Sequence, residues 1–137
     1  MKRVGLLFPG QGAQFEGMGR DFFEKSDAAR QVFEQADAVV DFHLPSACFS
    51  GPEALLNRSD ICQPAILATS IATLRALEEA NGEAFEPAGG GGLSLGEYSA
   101  LTAAGTLDLQ EAIRLVHHRG RYMQEAVPAG QGGMAAI

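Results

Sequence analysis

Pro87-Ala88-Gly89-Gly90-Gly91-Gly92-Leu93-Ser94-Leu95-Gly96-Glu97-Tyr98 leads from an extended segment through G-x-S-x-G into a helix. Its head reads as a strand opened by Pro87, although Gly89 to Gly91 are poor strand residues. Its tail continues as a helix from Glu97 to Ala104 and stops at Gly105. A serine held between strand and helix by two glycines is the pattern of a nucleophile elbow. There the strained turn projects the hydroxyl, and side chains at the flanking positions would strike the neighbouring strand and helix. The N–H after the serine, here that of Leu95, is left free to stabilise an oxyanion. The competing reading is a glycine-rich turn in which Ser94 only caps the helix.

Upstream, Val4-Gly5-Leu6-Leu7-Phe8 is a short apolar run ended by Pro9-Gly10, as expected of a buried strand. Ser26 can cap a helix whose apolar residues fall at Ala29, Val32, Phe33, Ala36, Val39 and Val40. Ser50-Gly51-Pro52-Glu53 has capping-box spacing ahead of a short helix. A longer helix should begin near Asp60, tolerate Pro64 in its first turn and end by Asn81-Gly82. Downstream, Asp108-x-x-Glu111 caps a helix running to about Ala126, with Pro128 beyond it. Strands alternating with helices predict an α/β domain with a parallel sheet. Repeats and linkers are absent. The chain ends inside a new apolar run, Met134 to Ile137, as expected of one piece of a larger domain.

Composition narrows the function. The 137 residues are enough for one domain with a real core. Ten Lys and Arg against seventeen Asp and Glu leave a formal charge of −7, which argues against a phosphate-coating nucleic-acid binder. Cys48 and Cys62 stand alone, without zinc or C-x-x-C spacing, and read as reduced cytoplasmic residues. No apolar run approaches the ~20 residues of a membrane span. Gly10-Gln11-Gly12 after the first strand invites a dinucleotide reading, but Phe15 stands where the third glycine should be. Gly17-Met18-Gly19 fails likewise at Phe22, so a tight turn presenting backbone N–H groups is preferred.

On the last helix, Leu109, Ala112, Ile113, Val116, Gly120 and Met123 form an apolar stripe. At about 100° per residue, Arg119 lies roughly 70° from the centre of that stripe, whereas Arg114 and Arg121 lie beyond about 130°. Arg119 is thus the cation of this helix that can reach a partly buried site; a snorkelling arginine or an internal salt bridge is the alternative. A serine nucleophile needs a base, usually histidine. His117 sits on the helix flank, His118 points to solvent and His43 precedes Leu44-Pro45 in a loop. None carries the signature of a catalytic base.

Taken together these motifs resemble the malonyl-CoA:acyl carrier protein transacylases of fatty-acid synthesis. The matching segments are Leu7 to Gln14, Gly17-Met18-Gly19, Gln63-Pro64-Ala65, Gly92 to Ala100, Arg119 to Ala126 and Gly132 to Ala136, in family order from end to end of the chain. The resemblance implies a parallel-sheet α/β hydrolase-like acyltransferase core, with residues 1–137 as its N-terminal portion, incomplete before a ferredoxin-like subdomain. It implies that Ser94 carries malonate as an ester and that the backbone N–H groups of Gln11 and Leu95 form the oxyanion hole. Arg119 would then hold the malonyl carboxylate bidentately, as a planar guanidinium can, and Gln63 would line the site. No metal or resident cofactor is implied. The substrates are malonyl-CoA and an acyl carrier protein bearing phosphopantetheine, and the location is cytoplasmic.

Two features depart from the family. Leu93 stands where a histidine usually precedes the serine, and Gly89 to Gly91 replace branched strand residues. The family's catalytic histidine lies in a segment beyond Ile137, so the 137-residue chain by itself is expected to be inactive and prone to self-association. The alternatives are a polyketide-synthase acyltransferase, a serine hydrolase, or a non-catalytic fragment.

Overall fold

The computed structural model describes residues 4–127 and 130–132. The apolar run at Met134 to Ile137, the stop at Pro128 and the family match beyond Gly132 lie outside the described residues. The chain folds as β1 (Val4–Phe8), α1 (Arg20–Lys25), α2 (Asp27–Asp37), α3 (Leu44–Ser50), α4 (Glu53–Leu56) and α5 (Ser59–Asn81). It continues as β2 (Pro87–Gly92), α6 (Leu95–Ala103) and α7 (Leu109–Ala126). The two strands pair in parallel, with Gly5 opposite Gly89 and Phe8 opposite Gly92. This is the expected α/β arrangement, and the glycine run does form a strand, because ladder bonding needs only backbone groups.

The core is helical. Helix α5 lies at its centre, packed against α7, α2 and α6. Phe33, Leu67, Ile113 and Val116 are fully buried there. Helix α2 is capped as expected, the Ser26 hydroxyl accepting from Ala29 N–H at 3.0 Å. It ends at Asp37, before Val39 and Val40. The Asp108 carboxylate caps α7 by accepting from Gln110 and Glu111 N–H groups.

Four expectations need correction. Strand β1 is not buried: Leu7 is 89 % exposed, because β2 is its partner on one edge and no described element covers its outer face. Ser50 does not open a capping box; it is the last residue of α3, and Pro52 precedes α4 with no side-chain cap. Helices α1 and α3 were not foreseen, since each is short and carries too few apolar repeats to register as a period.

The fourth correction concerns Pro64. Helix α5 starts at Ser59, so Pro64 falls in its second turn, where it has no N–H for the carbonyl of Asp60. His117 of α7 takes up that carbonyl, Nδ1 lying 2.8 Å from it. The proline thereby leaves an acceptor that ties two helices together.

Candidate active site

The elbow has the backbone its sequence calls for. Ser94 has φ 52° and ψ −106°, the one non-glycine residue at positive φ among those described. Such a conformation costs about 1–3 kcal/mol and persists only where its surroundings enforce it. The enforcement is steric. A Cβ on Gly92 would sit 2.2 Å from Gly96 backbone, and one on Gly96 would sit 2.3 Å from the Phe8 carbonyl oxygen. The two glycines let strand, turn and helix close on each other, and any other residue at either position would force them apart. Helix α6 starts immediately after, so the N–H of Leu95, its first residue, has no acceptor within the helix. The β1–α1 loop closes against the elbow, a Cβ on Gly10 falling 2.7 Å from the Leu93 carbonyl.

Arg119 reaches this serine. Its Nη2 donates to Ser94 Oγ at 2.8 Å, and its Nη1 donates to Gln63 Oε1 at 2.6 Å. The guanidinium lies over the ring of Tyr98, 5.4 Å from its centroid. Gln63 is fully buried. Its amide nitrogen donates to Met123 Sδ at 3.1 Å and to Gln11 Oε1 at 3.4 Å. Gln11 Nε2 in turn donates to Ser59 Oγ at 3.0 Å. Ser94, Arg119, Gln63 and Gln11 thus converge from α6, α7, α5 and the β1–α1 loop. Leu95 is buried at the start of α6 beside them.

The three histidines go elsewhere. Besides the Asp60 carbonyl, His117 places Nε2 3.0 Å from Asp41 Oδ1, so both its ring nitrogens are engaged. His43 caps α3, Nδ1 accepting from Ser46 N–H at 3.1 Å. His118 is exposed. No described histidine bonds Ser94. Burial pushes the Cys48 thiol up to about 12 and the Cys62 thiol up to about 11, which disfavours the thiolate form of both. Among the described residues no three His, Cys, Asp or Glu groups cluster as metal ligands, and no helix is long and apolar enough to cross a membrane.

Two contributors were missed from sequence. Tyr98 lies four residues after Ser94 and so on the same face of α6, a spacing that could have pointed to it. Ser59 carried no signal, because its part depends on three elements meeting.

Arranged in this way, the site can attack a carbonyl with Ser94 and hold an anionic group within hydrogen-bonding distance of it. The family description "Acyl transferase domain" matches residues 6–137. The malonyl CoA-acyl carrier protein transacylases of Bacillus subtilis (strain 168) and Escherichia coli (strain K12) are 46 % and 43 % identical over all 137 residues. The chain spans 42 % and 44 % of their respective lengths. An acyl carrier protein S-malonyltransferase from Vibrio cholerae superposes with TM-score 0.85 at 43 % identity, over 94 % of this chain and 42 % of that one. A malonyl-transacylase solved in complex with its type II PKS acyl-carrier protein also superposes with TM-score 0.85 at 43 % identity, over 94 % of this chain and 41 % of that one. The chain belongs to the acyl transferase domain family.

Proposed function

We propose that this chain carries the nucleophile and the acyl-recognition half of a malonyl-CoA:acyl carrier protein transacylase. The supporting observation is the direct contact of Arg119 with Ser94 Oγ. In a malonyl thioester one methylene separates the carboxylate from the carbonyl under attack. A cation that reads this carboxylate must therefore lie close to the nucleophile, and a cation so placed suits a long uncharged acyl chain poorly.

Ser94 Oγ attacks the thioester carbonyl, giving up its proton to a base. The oxyanion is received by the N–H groups of Leu95 and Gln11. Collapse breaks the C–S bond, releases coenzyme A as a thiol and leaves malonate esterified to Ser94. The phosphopantetheine thiol of the carrier then attacks the ester and restores the serine hydroxyl. Arg119 turns from Ser94 to the malonyl carboxylate, Gln63 retaining its Nη1. A serine needs a base, and we assign that group to the remainder of a full-length transacylase, since none of the described histidines bonds Ser94. The 137-residue chain alone is then without turnover. The reaction calls for no resident cofactor, and two buried free thiols fit a reducing compartment such as the cytoplasm. The carrier of fatty-acid synthesis is the first choice of acceptor. A polyketide carrier is the second, favoured by the superposition on a transacylase bound to one.

Intact-mass measurement on the full-length protein tests this. Malonyl-CoA should leave a malonyl adduct on Ser94 that disappears when carrier bearing phosphopantetheine is added, and Ser94→Ala should show no adduct. Hydrolysis of malonyl-CoA without transfer to a thiol would replace this reading with a serine hydrolase.

A further inference from the structure

We propose that Ser59, outside the reacting groups, is a positioning residue that sets the direction of Arg119 and of the oxyanion loop together. What each group can donate fixes how the side chains are turned. A guanidinium has no acceptor, so Gln63 must turn its carbonyl oxygen to Arg119. Its NH₂ then faces Gln11 and Met123. Gln11 must turn its own oxygen to Gln63, which leaves its NH₂ facing Ser59. The chain of bonds therefore has one permitted sense, and it ends on the Ser59 hydroxyl as an acceptor. Removing that hydroxyl leaves the Gln11 amide without its terminal partner, and Gln11 is free to turn.

Ser59 also holds the site from its backbone. Its N–H donates to Gln124 Oε1 of α7 at 3.1 Å. Its carbonyl oxygen lies against Gly120, where an added Cβ would come within 2.2 Å. Gly120 follows Arg119 directly in sequence. The first residue of α5 thus grips the helix that presents the arginine and, through its side chain, the loop residue whose N–H is assigned to the oxyanion. Ser59 itself is 7 % exposed. Exchange of its hydroxyl for hydrogen leaves both backbone contacts in place, so the two functions of the residue can be separated.

The kinetic arm of the test rests on the transacylase reading; the spectroscopic arm does not. In the full-length protein, Ser59→Ala should lower kcat/KM for malonyl loading of Ser94 by about two- to ten-fold, the worth of one neutral hydrogen bond. Acetyl loading should fall less, because it uses the oxyanion loop but not Arg119. Ser59→Thr, which keeps the hydroxyl, should restore malonyl loading. Independently of turnover, the Arg119 guanidinium resonances should show faster Nη rotation in Ser59→Ala than in wild type or Ser59→Thr. Should Ser59→Ala fail to fold, Gln11→Met breaks the same bond from the loop side. Equal malonyl-to-acetyl ratios and equal Arg119 rotation in wild type and Ser59→Ala would overturn the proposal. So would a Ser59→Thr protein as impaired as Ser59→Ala. If wild type itself loads no malonyl group while Arg119 still responds to Ser59, the transacylase reading fails and the positioning role stands.

Discussion

Ser94 combines positive φ with the hydroxyl that the proposed reaction needs, and stability and chemistry pull it in opposite directions. Ser94→Gly should relax the turn, since only glycine adopts this backbone without strain, while Ser94→Ala keeps the strain. Allowing for the entropy that glycine loses on folding, the glycine variant should be more stable than the alanine variant by about 1–2 kcal/mol, and both should be unacylated. Thermal melts of the pair check this, and a glycine variant less stable than the alanine variant by the glycine entropy cost of about 0.5–1 kcal/mol would mean that the turn is not strained. Arg119 raises the complementary question of specificity. In a full-length protein, Arg119→Ala should lower malonyl loading by roughly ten- to a hundred-fold, as expected for a charged hydrogen bond worth about 1.5–3 kcal/mol. Acetyl loading should be unchanged or improved. Arg119→Lys should restore malonyl transfer only partly, because a point charge lacks the two-pronged geometry. A malonyl-to-acetyl ratio that survives Arg119→Ala would make the arginine structural.

At the scale of elements, the site depends on how closely α7 approaches α5. Gly120 permits that approach, since its missing side chain admits the Ser59 carbonyl. Gly120→Ala gains intrinsic helix propensity of nearly 1 kcal/mol, yet it must push two backbones apart. The second effect dominates, because neither neighbour is a flexible side-chain tip. A net destabilisation of about 1–3 kcal/mol is expected, as for overpacking elsewhere. In a full-length protein, malonyl loading should fall further than the loss of folded protein explains, because Arg119 moves with α7. Thermal denaturation and loading assays on the same samples separate the two effects. An unchanged melting temperature would show that the helices are not in tight contact.

Over the whole molecule, apolar surface is unevenly covered. Leu7 and Phe8 of β1, Phe15, Phe22 of α1, and Leu74 and Leu77 of α5 together line an open apolar groove. Together with strand edges that no described residue pairs, this should make the isolated 137-residue chain self-associate, as light scattering can show. A stable monomer at high concentration would contradict it. The interior makes a second, pH-dependent prediction. Cys48 and Cys62 have folded pKa values of about 12 and about 11, raised by burial from a reference of 9.0. Above pH 9 the unfolded chain loses thiol protons that the folded chain keeps, so stability falls as pH rises toward 11. Each thiol contributes a slope of about 1.4 kcal/mol per pH unit at most. Urea midpoints between pH 9 and 11 should decline less steeply for a Cys48→Ala/Cys62→Ala variant. Identical slopes would place both thiols in contact with solvent.

Local sequence by itself determined the elements whose cause is local. The strand–turn–helix at Gly92 to Gly96, the caps at Ser26 and Asp108 and the long helix ending at Gly82 each follow from a few neighbouring residues. The helical face of Arg119 was legible in the same way, since a fixed turn per residue relates it to the apolar stripe. Only tertiary structure decided what those faces meet. Gln63 meets Arg119 across 56 positions of chain, and Gln11 meets Ser59 across 48. No periodicity encodes such pairings, because they arise where separate elements pack. The exposure of β1 was hidden for a related reason: an apolar strand records the need to be covered, while coverage depends on what lies beside it. Pro64 shows both sides. Its missing N–H could be read from the sequence, but which group would answer the orphaned Asp60 carbonyl could not, because His117 arrives from another helix.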